Sequence, residues 1–514
     1  MTSSIFPLHL CLAAVLLTSC QNGGKPPVSL SQAVKTTAKF ESQSFTPPPR
    51  RIEDVRRMLV AATNRTPAAV ARLKATAAAT AGNGASPEER ARSFYKRAVA
   101  AGELGRNRQM RDDLAAARAE TLKDSLLKAN ILISTATAQA DSGNLVRAID
   151  YREQAIAILD RLNTKKGRIA ASHAILASRR ILIGDLDGAG DDLVRSRAIL
   201  DRIAVRGRQS HAFLALPCAT LLQAEGSVAR RSGRYEDAED KVRNSLILIE
   251  NLIVEKTQPQ SDLPVYPAKT TLKLAKMNGL QALANALVRQ HRFAEAEIAA
   301  RNGIQIAAAS FGRNSIYMAR AIDPMILVLT RTSRLTEALN LAAIAIDILE
   351  KLGVDQDGHR LNRARHRLAA VHVATDDWNS ALSGFAAIAK AARGDNILLD
   401  RFYRYDLDRA TALLQTGQVD DAAKITGPAA RRLVVKLGAK SYESALALGL
   451  HAVALQRAGD TAAALELFRQ SFAILSTRSR ESSGTGSGHS GTRLRLINEG
   501  YMAALMQSGR REEA

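Results

Sequence analysis

Two residues with catalytic side-chain types lie close together in the middle of the sequence. His211 and Cys218 are seven positions apart and could pair as a thiol nucleophile and its histidine base. Pro217 should interrupt any helix that would place both on one face, and no Asn or Asp is positioned to orient the histidine. We therefore predict that Cys218 is a structural cysteine and that the chain has no catalytic residue.

Two other stretches have the spacing of ligand-binding loops. DQDG, residues 355–358, begins like a calcium loop but lacks the later ligands, so a turn is the better interpretation. The glycines of residues 486–491 have the spacing of a dinucleotide loop without a preceding strand or a later acidic residue, which indicates a linker. No group of histidines and cysteines has zinc spacing. We predict no cofactor and no metal.

The elements that would position functional residues follow from an internal repeat. Short phrases such as SGNLVRA, SGRYEDA and TGQVDDA recur, each ending in alanine, and successive copies are 38 to 58 residues apart with most spacings near 42. Met110 fills the alanine position of an earlier copy. A fixed period of this kind predicts stacked structural units. The repeat alanines are Ala148, Ala189, Ala238, Ala296, Ala338, Ala381, Ala422, Ala464 and Ala514.

Two further positions of the unit are small almost everywhere. Small residues let neighbouring helices approach closely, and the low aromatic content of 4% agrees with close packing. Twelve residues before the alanine stand Ala98, Ala136, Ala177, Gly226, Ala284, Ala369, Ala410 and Ala452, with Ile326 and Met502 as exceptions. Seven residues after it stand Ala117, Ala155, Ser196, Ser245, Gly303, Ala345, Ala429 and Ser471, with Ile388 as the exception.

This pattern resembles the tetratricopeptide repeat, a helix–turn–helix unit of about 34 residues. The longer spacing is similar to repeats of the kinesin light chain type. The resemblance implies an all-α fold, a right-handed superhelical solenoid of about ten units over residues 88–514. A capping helical pair is predicted over residues 52–82. Two long spacings are explained by a proline-rich loop, residues 255–269, and a Ser/Gly-rich flexible insertion, residues 482–492.

The N-terminus carries an export signal. An apolar run over residues 5–17 is too short to span a bilayer and has the length of a signal-peptide core. It leads into LLTSC, which resembles the lipobox of bacterial lipoproteins and implies cleavage before Cys20 and lipid on that cysteine. We predict a signal peptide over residues 1–19, a disordered tether over residues 20–51, and a periplasmic or outer-membrane lipoprotein. The first residues lack Lys and Arg, so a missed upstream start and secretion without lipid are alternatives.

The charge of the chain suggests the chemistry of its partners. The formal net charge is +22 and the sequence pI is about 10.2, which favours acidic proteins, anionic membranes or nucleic acid. The basic residues are interleaved with Asp and Glu, so a solvated helix surface is the alternative interpretation. The export signal and the scarce aromatics argue against nucleic acid. We predict an acidic protein or peptide partner, together with a membrane held through the lipid.

The resemblance also implies where that partner binds. In tetratricopeptide proteins the first helix of each unit lines a concave groove, and a polar groove can be explained by solvation alone. The alternative is a basic groove for an acidic or carboxylate-bearing segment. The positions that face the groove, or adjoin it, are Asn278, Gln281, Asn285, Arg289, Arg320, Arg363, His366, Arg367 and Arg404.

Two hypotheses about function follow. The first is a non-catalytic scaffold that binds protein segments. The second rests on PPPRRIEDVRRML, FYKRAVAAGELGR and RLRLINEGYMAAL, which resemble stretches of exported bacterial proteins whose tetratricopeptide array precedes a caspase-like CHAT protease domain. That resemblance implies the sensor half of a larger protease, with its catalytic residues outside this sequence.

The last phrase of the sequence, SGRREEA, places Ala514 where a second helix begins. We therefore expect an incomplete last unit whose first helix lacks its partner. In that case its apolar face should be partly bare at Leu496, Ile497, Tyr501, Leu505 and Met506.

Overall fold

The structure is a computed structural model that describes residues 67–80, 85–104, 106–120, 123–163, 166–205, 211–257, 269–481, 488–510 and 512. The predicted signal peptide, the tether and Cys20 lie outside the described residues, as do residues 52–66 of the predicted capping pair and residues 258–268 of the predicted loop. Within the described ranges the structure has 21 α-helices and no strand. None of these helices is long and apolar enough to cross a membrane.

The helices follow one another with short turns. Their bounds are α1 (Pro67–Ala78), α2 (Pro87–Glu103), α3 (Asn107–Ala119), α4 (Leu126–Ser142), α5 (Leu145–Arg161), α6 (Lys166–Ile183), α7 (Leu186–Val205), α8 (His211–Arg231), α9 (Tyr235–Thr257), α10 (Lys269–Arg289), α11 (Phe293–Phe311), α12 (Ile316–Arg331), α13 (Leu335–Lys351), α14 (His359–Ala374), α15 (Trp378–Ala391), α16 (Asn396–Phe402), α17 (Leu407–Gln415), α18 (Val419–Leu437), α19 (Tyr442–Arg457), α20 (Thr461–Glu481) and α21 (Gly488–Gln507).

Successive helices pack as pairs, from α2 with α3 to α19 with α20, and each pair packs on the next. The repeat alanines lie where the two helices of a pair touch, and their small side chains let the helices approach closely. At most 2% of the surface of each is exposed among Ala148, Ala189, Ala238, Ala296, Ala338, Ala381, Ala422 and Ala464. This packing confirms the predicted all-α solenoid of helix–turn–helix repeats.

The turn inside each pair has one conformation throughout the array. The residue five positions before each repeat alanine has a positive φ, a region that glycine enters without steric cost. At three of these turn positions a non-glycine residue has a positive φ, namely His291 (φ 59°), Ser333 (φ 59°) and Asp376 (φ 56°). The other six are Gly143, Gly184, Gly233, Gly417, Gly459 and Gly509.

The small position of the second helix carries a hydrogen bond when it is serine. Ser196 Oγ donates to the carbonyl of Ala170 at 2.8 Å, and Ser471 Oγ donates to the carbonyl of Ala445 at 2.7 Å. Both serines are fully buried. A buried hydroxyl needs such a partner, so the bond fixes the second helix against the first.

The structure corrects two local predictions and confirms a third. Helix α8 continues through Pro217, because a proline ring fits helical φ and costs the helix only part of its local bonding. Helix α21 begins at Gly488, inside the stretch that was predicted to be flexible, and residues 482–487 lie outside the described chain. The DQDG stretch lies between α13 and α14, which confirms its interpretation as an inter-repeat turn.

The prediction that the last helix, α21, exposes part of its apolar face is wrong for three of the five residues that it named. Leu496, Ile497 and Leu505 are each at most 1% exposed, although Met506 is 53% exposed. Helix α21 packs on α19 so closely that a Cβ on Gly500 would lie 2.9 Å from Val453 Cγ2. Helices α19 and α20 therefore cover the face that a second helix of the same unit was expected to cover.

The solenoid returns to its own beginning after five units. Arg360 forms an ion pair with Asp141 and donates from Nε to the Asp141 carbonyl at 2.9 Å. One unit further on, Arg401 Nη1 donates to the carbonyl of Leu182 at 2.6 Å. In both pairs the partners are 219 residues apart in sequence. One turn of the superhelix thus contacts the next.

Two glycines allow the backbones to meet there. A Cβ on Gly358 would lie 1.9 Å from the Ser142 carbonyl oxygen, and one on Gly143 would lie 2.0 Å from the His359 amide nitrogen. We call this contact the closing seam. It comprises Asn107, Arg111, Asp141, Ser142, Gly143, Asn144 and Leu182 on one side and Leu352, Asp355, Gly358, His359, Arg360 and Arg401 on the other.

Candidate functional site: a basic central cavity

The closed superhelix surrounds a cavity of about 770 Å³. Most residues of its wall belong to the first helices of the units, from α6 to α21. These helices form the concave side of the array. Twelve cationic side chains and four carboxylates line the cavity, so its wall has a large excess of positive charge. The cations are Arg179, Arg230, Arg231, Arg289, Arg320, Arg331, Arg360, Arg363, Arg367, Arg401, Lys436 and Arg493.

Eight of the nine predicted groove residues line this cavity. The exception is Arg404, which lies outside the lining and pairs with Asp400 at 2.8 Å. Its unit has a first helix in two pieces, α16 and α17, because Asp395 and Asp406 each cap a new helix start. Arg404 falls in the break between the pieces. The eight that line the cavity are Asn278, Gln281, Asn285, Arg289, Arg320, Arg363, His366 and Arg367.

Several of these side chains also hold the wall together. Pro324 has no N–H, so the carbonyl of Arg320 lacks its helical donor, and Gln281 Nε2 donates to that carbonyl at 2.9 Å. Arg320 Nη2 donates to Asn278 Oδ1 at 2.7 Å. Asn285 Nδ2 donates to the Gln281 carbonyl at 2.7 Å. The amide side chains of α10 therefore join α10 to α12 beneath the arginines.

Asp323 is a buried carboxylate that bonds two arginines of the wall. It is 8% exposed and accepts from Arg363 at 2.5 and 3.1 Å and from Arg367 Nε at 2.9 Å. Burial opposes its charge, but the two guanidinium groups outweigh burial and hold the pKa of the Asp323 carboxyl far below its usual range. The same contact raises the pKa of Arg363. One carboxylate thus satisfies two of the predicted groove residues.

Glu443 joins two turns of the superhelix at the cavity wall. It accepts from Tyr235 Oη at 2.8 Å and pairs with Arg289 at 3.3 Å. Burial and the Glu443 charge raise the pKa of Tyr235 to about 12, so the phenol stays protonated and donates. Arg289 is therefore held at the wall by a carboxylate from a unit far along the chain.

The last two carboxylates of the wall belong to one small cluster. His366 Nε2 lies 2.6 Å from Asp406 Oδ2, Asp406 accepts from backbone amides at the start of α17, and Asp408 pairs with Arg493. One ligand atom from each of His366, Asp406 and Asp408 lies within 4.8 Å of the others, which is close enough to hold a metal ion. Each of the three is already engaged with the protein, and the surrounding cations oppose a metal cation there.

Four cations of the wall have no ion-pair or hydrogen-bond partner among the described residues. They are Arg179, Arg230, Arg231 and Lys436. Burial and the neighbouring Arg231, Arg289 and Arg363 lower the pKa of Arg230 to about 9. Burial and nearby arginines lower the pKa of Arg231 to about 10 and that of Lys436 to about 8. With pKa values of about 8 to 10, Arg230, Arg231 and Lys436 remain mostly charged at neutral pH. Burial is the main cause of the lowering, and repulsion from neighbouring arginines adds to it.

The sequence contained a positional signal for six lining arginines, five of which the groove prediction missed. The residue 21 positions before the repeat alanine is Arg in three late units, and the residue seven positions before it is Arg in four units. The first set lies at the opening of a unit and the second at the end of its first helix. The two sets are Arg360, Arg401 and Arg493, and Arg231, Arg289, Arg331 and Arg457, of which Arg457 alone does not line the cavity.

Cys218 lies away from this cavity. It packs beside Leu214 and Leu221 in the core between α6 and α8 and is half-buried. This placement agrees with a structural cysteine. The side chain of His211 lies outside the described residues.

No protein-family model matches the chain, and no curated protein matches it. Solved structures of similar shape include the apo form of the quorum sensor NprR from B. thuringiensis, at 15% identity and a TM-score of 0.40 over 75% of this chain and 97% of that one. The apo form of RapI is 12% identical with a TM-score of 0.39 over 76% and 98% of the two chains. The APC/C hetero-tetramer Cut9-Hcn1 is 12% identical with a TM-score of 0.33 over 93% and 94%. The fold assignment rests on the helices and turns described above, and the CHAT resemblance stays a prediction.

Proposed function

We propose that this chain is a non-catalytic scaffold that binds a short acidic segment of a partner protein in the central cavity. The observation that carries the proposal is the imbalance of charge, since the four carboxylates of the wall are all engaged and eight more cations than carboxylates line the same space. Buried like charges without counter-ions are costly in a folded protein. A bound acidic segment would relieve that cost.

The closing seam limits the size of the partner. A cavity of about 770 Å³ is in the range of pockets that enclose small ligands, roughly 300 to 1,000 Å³. An extended segment of a few residues fits such a volume, whereas a folded domain does not. The partner is therefore proposed to present a loop or a terminus.

We expect binding of a glutamate-rich peptide to weaken in the double variant Arg289→Gln and Arg320→Gln. Charge-assisted hydrogen bonds contribute about 1.5 to 3 kcal/mol each, so the loss should be at least about tenfold in affinity. Affinity should also fall as salt rises, since part of the attraction is screened. Fluorescence anisotropy with a labelled peptide measures both effects.

Arg404→Gln is the control, because it removes a guanidinium group by the same substitution from outside the cavity lining. The affinity of this variant for the peptide should stay within about twofold of that of the unmutated chain, because an exposed ion pair contributes little free energy. Circular dichroism checks that each variant keeps its helices. A peptide whose affinity ignores both salt and the double substitution would refute the cavity as its site.

We further propose that the scaffold is held at a membrane on the envelope side of a bacterium. The support is the signal-like run followed by LLTSC in the sequence. Cys20→Ala is expected to move the protein from the membrane fraction to the soluble fraction, because each acyl CH₂ that enters the bilayer contributes about 0.8 kcal/mol. Cys218→Ala is the control and should stay with the membrane. A soluble unmutated protein without lipid mass on its N-terminal peptide contradicts the proposal.

A further inference from the structure

We propose that part of the cavity wall is a subsite for a dianionic phosphoryl group, formed by Arg230, Arg231, Arg401 and Lys436. This anion subsite deepens the proposed function and rests on it, because it adds a specific chemical group to the acidic segment. The same chemistry would also accept free phosphate, and the experiment below separates the two sources.

The fold brings the four cations together from three helices of two units that are far apart in sequence. Arg230 and Arg231 are the last two residues of α8, and Lys436 is in the last turn of α18. These two helix ends are adjacent, since a Cβ on Gly233 would lie 3.4 Å from Leu437 Cδ2. All four line the one cavity.

Arg401 completes the subsite from α16. Its Nη1 donates to the Leu182 carbonyl at 2.6 Å, and its guanidinium carbon lies 5.4 Å from the centre of the Phe402 ring. These contacts hold the side chain in place across the seam. Burial lowers the pKa of Arg401, and Arg231, Arg363 and Arg230 lower it further, which agrees with a location among the other cations.

No carboxylate of the wall serves these four residues. Asp323 bonds Arg363 and Arg367, Glu443 bonds Arg289, and the other two bond His366 and Arg493. Arg230, Arg231 and Lys436 have no partner among the described residues, and Arg401 has only a carbonyl. The subsite thus lacks a counter-ion of its own.

A buried polar atom beside Arg401 also lacks a partner. His359 is 6% exposed and lines the cavity, and its Nε2 has no hydrogen bond. Its ring lies 5.3 Å from that of Phe402, the residue after Arg401. Burial and the nearby arginines lower the pKa of His359 well below its usual value, so the ring is neutral at pH 7. A neutral imidazole can donate its N–H to a ligand oxygen.

These features fit a phosphoryl group better than a single carboxylate. A phosphate monoester carries a charge of about −1.5 to −2 and three acceptor oxygens, whereas a carboxylate carries one charge and two oxygens. Three guanidinium groups present planar pairs of donors that match phosphate oxygens. A phosphoryl group therefore offers four cations and one further donor more negative charge and more acceptor oxygens than one carboxylate does.

Calorimetric titration of the full chain with three probes tests the subsite. The probes are a short glutamate-rich peptide that contains one serine, the same peptide with phosphoserine, and inorganic phosphate. We expect phosphorylation to tighten binding by about 10- to 100-fold, the effect of one or two extra charge-assisted contacts. In the variant Arg230→Gln with Lys436→Gln the gain should fall below about threefold, because two of the four cations are removed. Neither side chain has a hydrogen bond or ion pair among the described residues that the change would break. Arg404→Gln should keep the full gain.

The outcomes separate this inference from the proposed function. If the serine peptide binds and phosphorylation changes nothing, the subsite is refuted and the scaffold proposal stands. If neither peptide binds but inorganic phosphate does, and the double variant abolishes it, the subsite is supported with free phosphate as its ligand and the scaffold proposal fails. If no probe binds, both fail.

Discussion

Replacing Asp323 with alanine is expected to lower the free energy of unfolding by about 3 to 5 kcal/mol, the usual cost of breaking a buried ion pair from one side. The change leaves Arg363 and Arg367 in a buried wall that already has an excess of cations. Asp347→Ala, which removes a carboxylate from an exposed pair with Lys351, is the control and should cost less than about 1 kcal/mol. Chemical denaturation followed by circular dichroism measures both. A loss below about 1 kcal/mol at Asp323 would contradict the role given to it here.

Asp323 is also expected to make the free energy of unfolding depend on pH. The pKa of Asp323 is lower in the folded chain than in the unfolded one, so its stabilisation is complete above about pH 4 and is lost as the pH falls below that value. Asp323→Asn removes the titrating group, so its stability should change less between pH 4 and pH 2 than that of the unmutated chain. Denaturation midpoints over this range measure the difference. Parallel curves for the two proteins would show that the carboxylate is not engaged.

Gly358→Ala is expected to separate the two turns of the superhelix. The new Cβ would lie 1.9 Å from the Ser142 carbonyl oxygen and 3.0 Å from that of Asp355, and both contacts are with backbone that cannot rotate away. Gly358 has φ −72°, so alanine suits its local conformation and the effect is confined to the seam. Small-angle scattering should show a larger radius of gyration, and the acidic peptide should bind more weakly because one wall of the cavity moves.

Gly190→Ala is the matched control for the seam. A Cβ there meets nothing within 4 Å, and Gly190 lies inside α7. We expect no expansion and a gain in stability of about 0.5 to 1 kcal/mol, since alanine favours a helix interior over glycine. An unchanged radius and an unchanged peptide affinity in Gly358→Ala would show that the seam does not hold the cavity closed.

The sequence was sufficient to predict the unit of this fold because the unit is defined by local packing. Ala338 and Ala381 are fully buried. The reason is the one that the repeat suggested, namely that two helices cross there. The turn was equally predictable, and Ser333 shows why the glycine pattern was incomplete. A left-handed serine costs about 1 to 2 kcal/mol, which packing of the surrounding helices can offset.

The closed cavity could not be predicted in the same way. The number of units in a superhelical turn depends on small rotations between neighbouring pairs, and no single unit records their sum. Arg179 and Arg401 therefore had no visible relation to Arg320, although all three line one cavity. Arg404 was misplaced for a local reason, because the helix break before Asp406 changes the direction of the chain.

Contact between units five repeats apart changes how this solenoid should fold. A linear repeat array gains and loses units from its ends, because each unit touches only its neighbours. Here Asp141 and Leu182 contact residues 219 positions later, so the early units cannot fray without uncoupling units in the middle of the chain. Contacts of such sequence separation form slowly, since a long loop must close before they stabilise anything. The helix pairs are then expected to form early and the closed superhelix late, as one cooperative step.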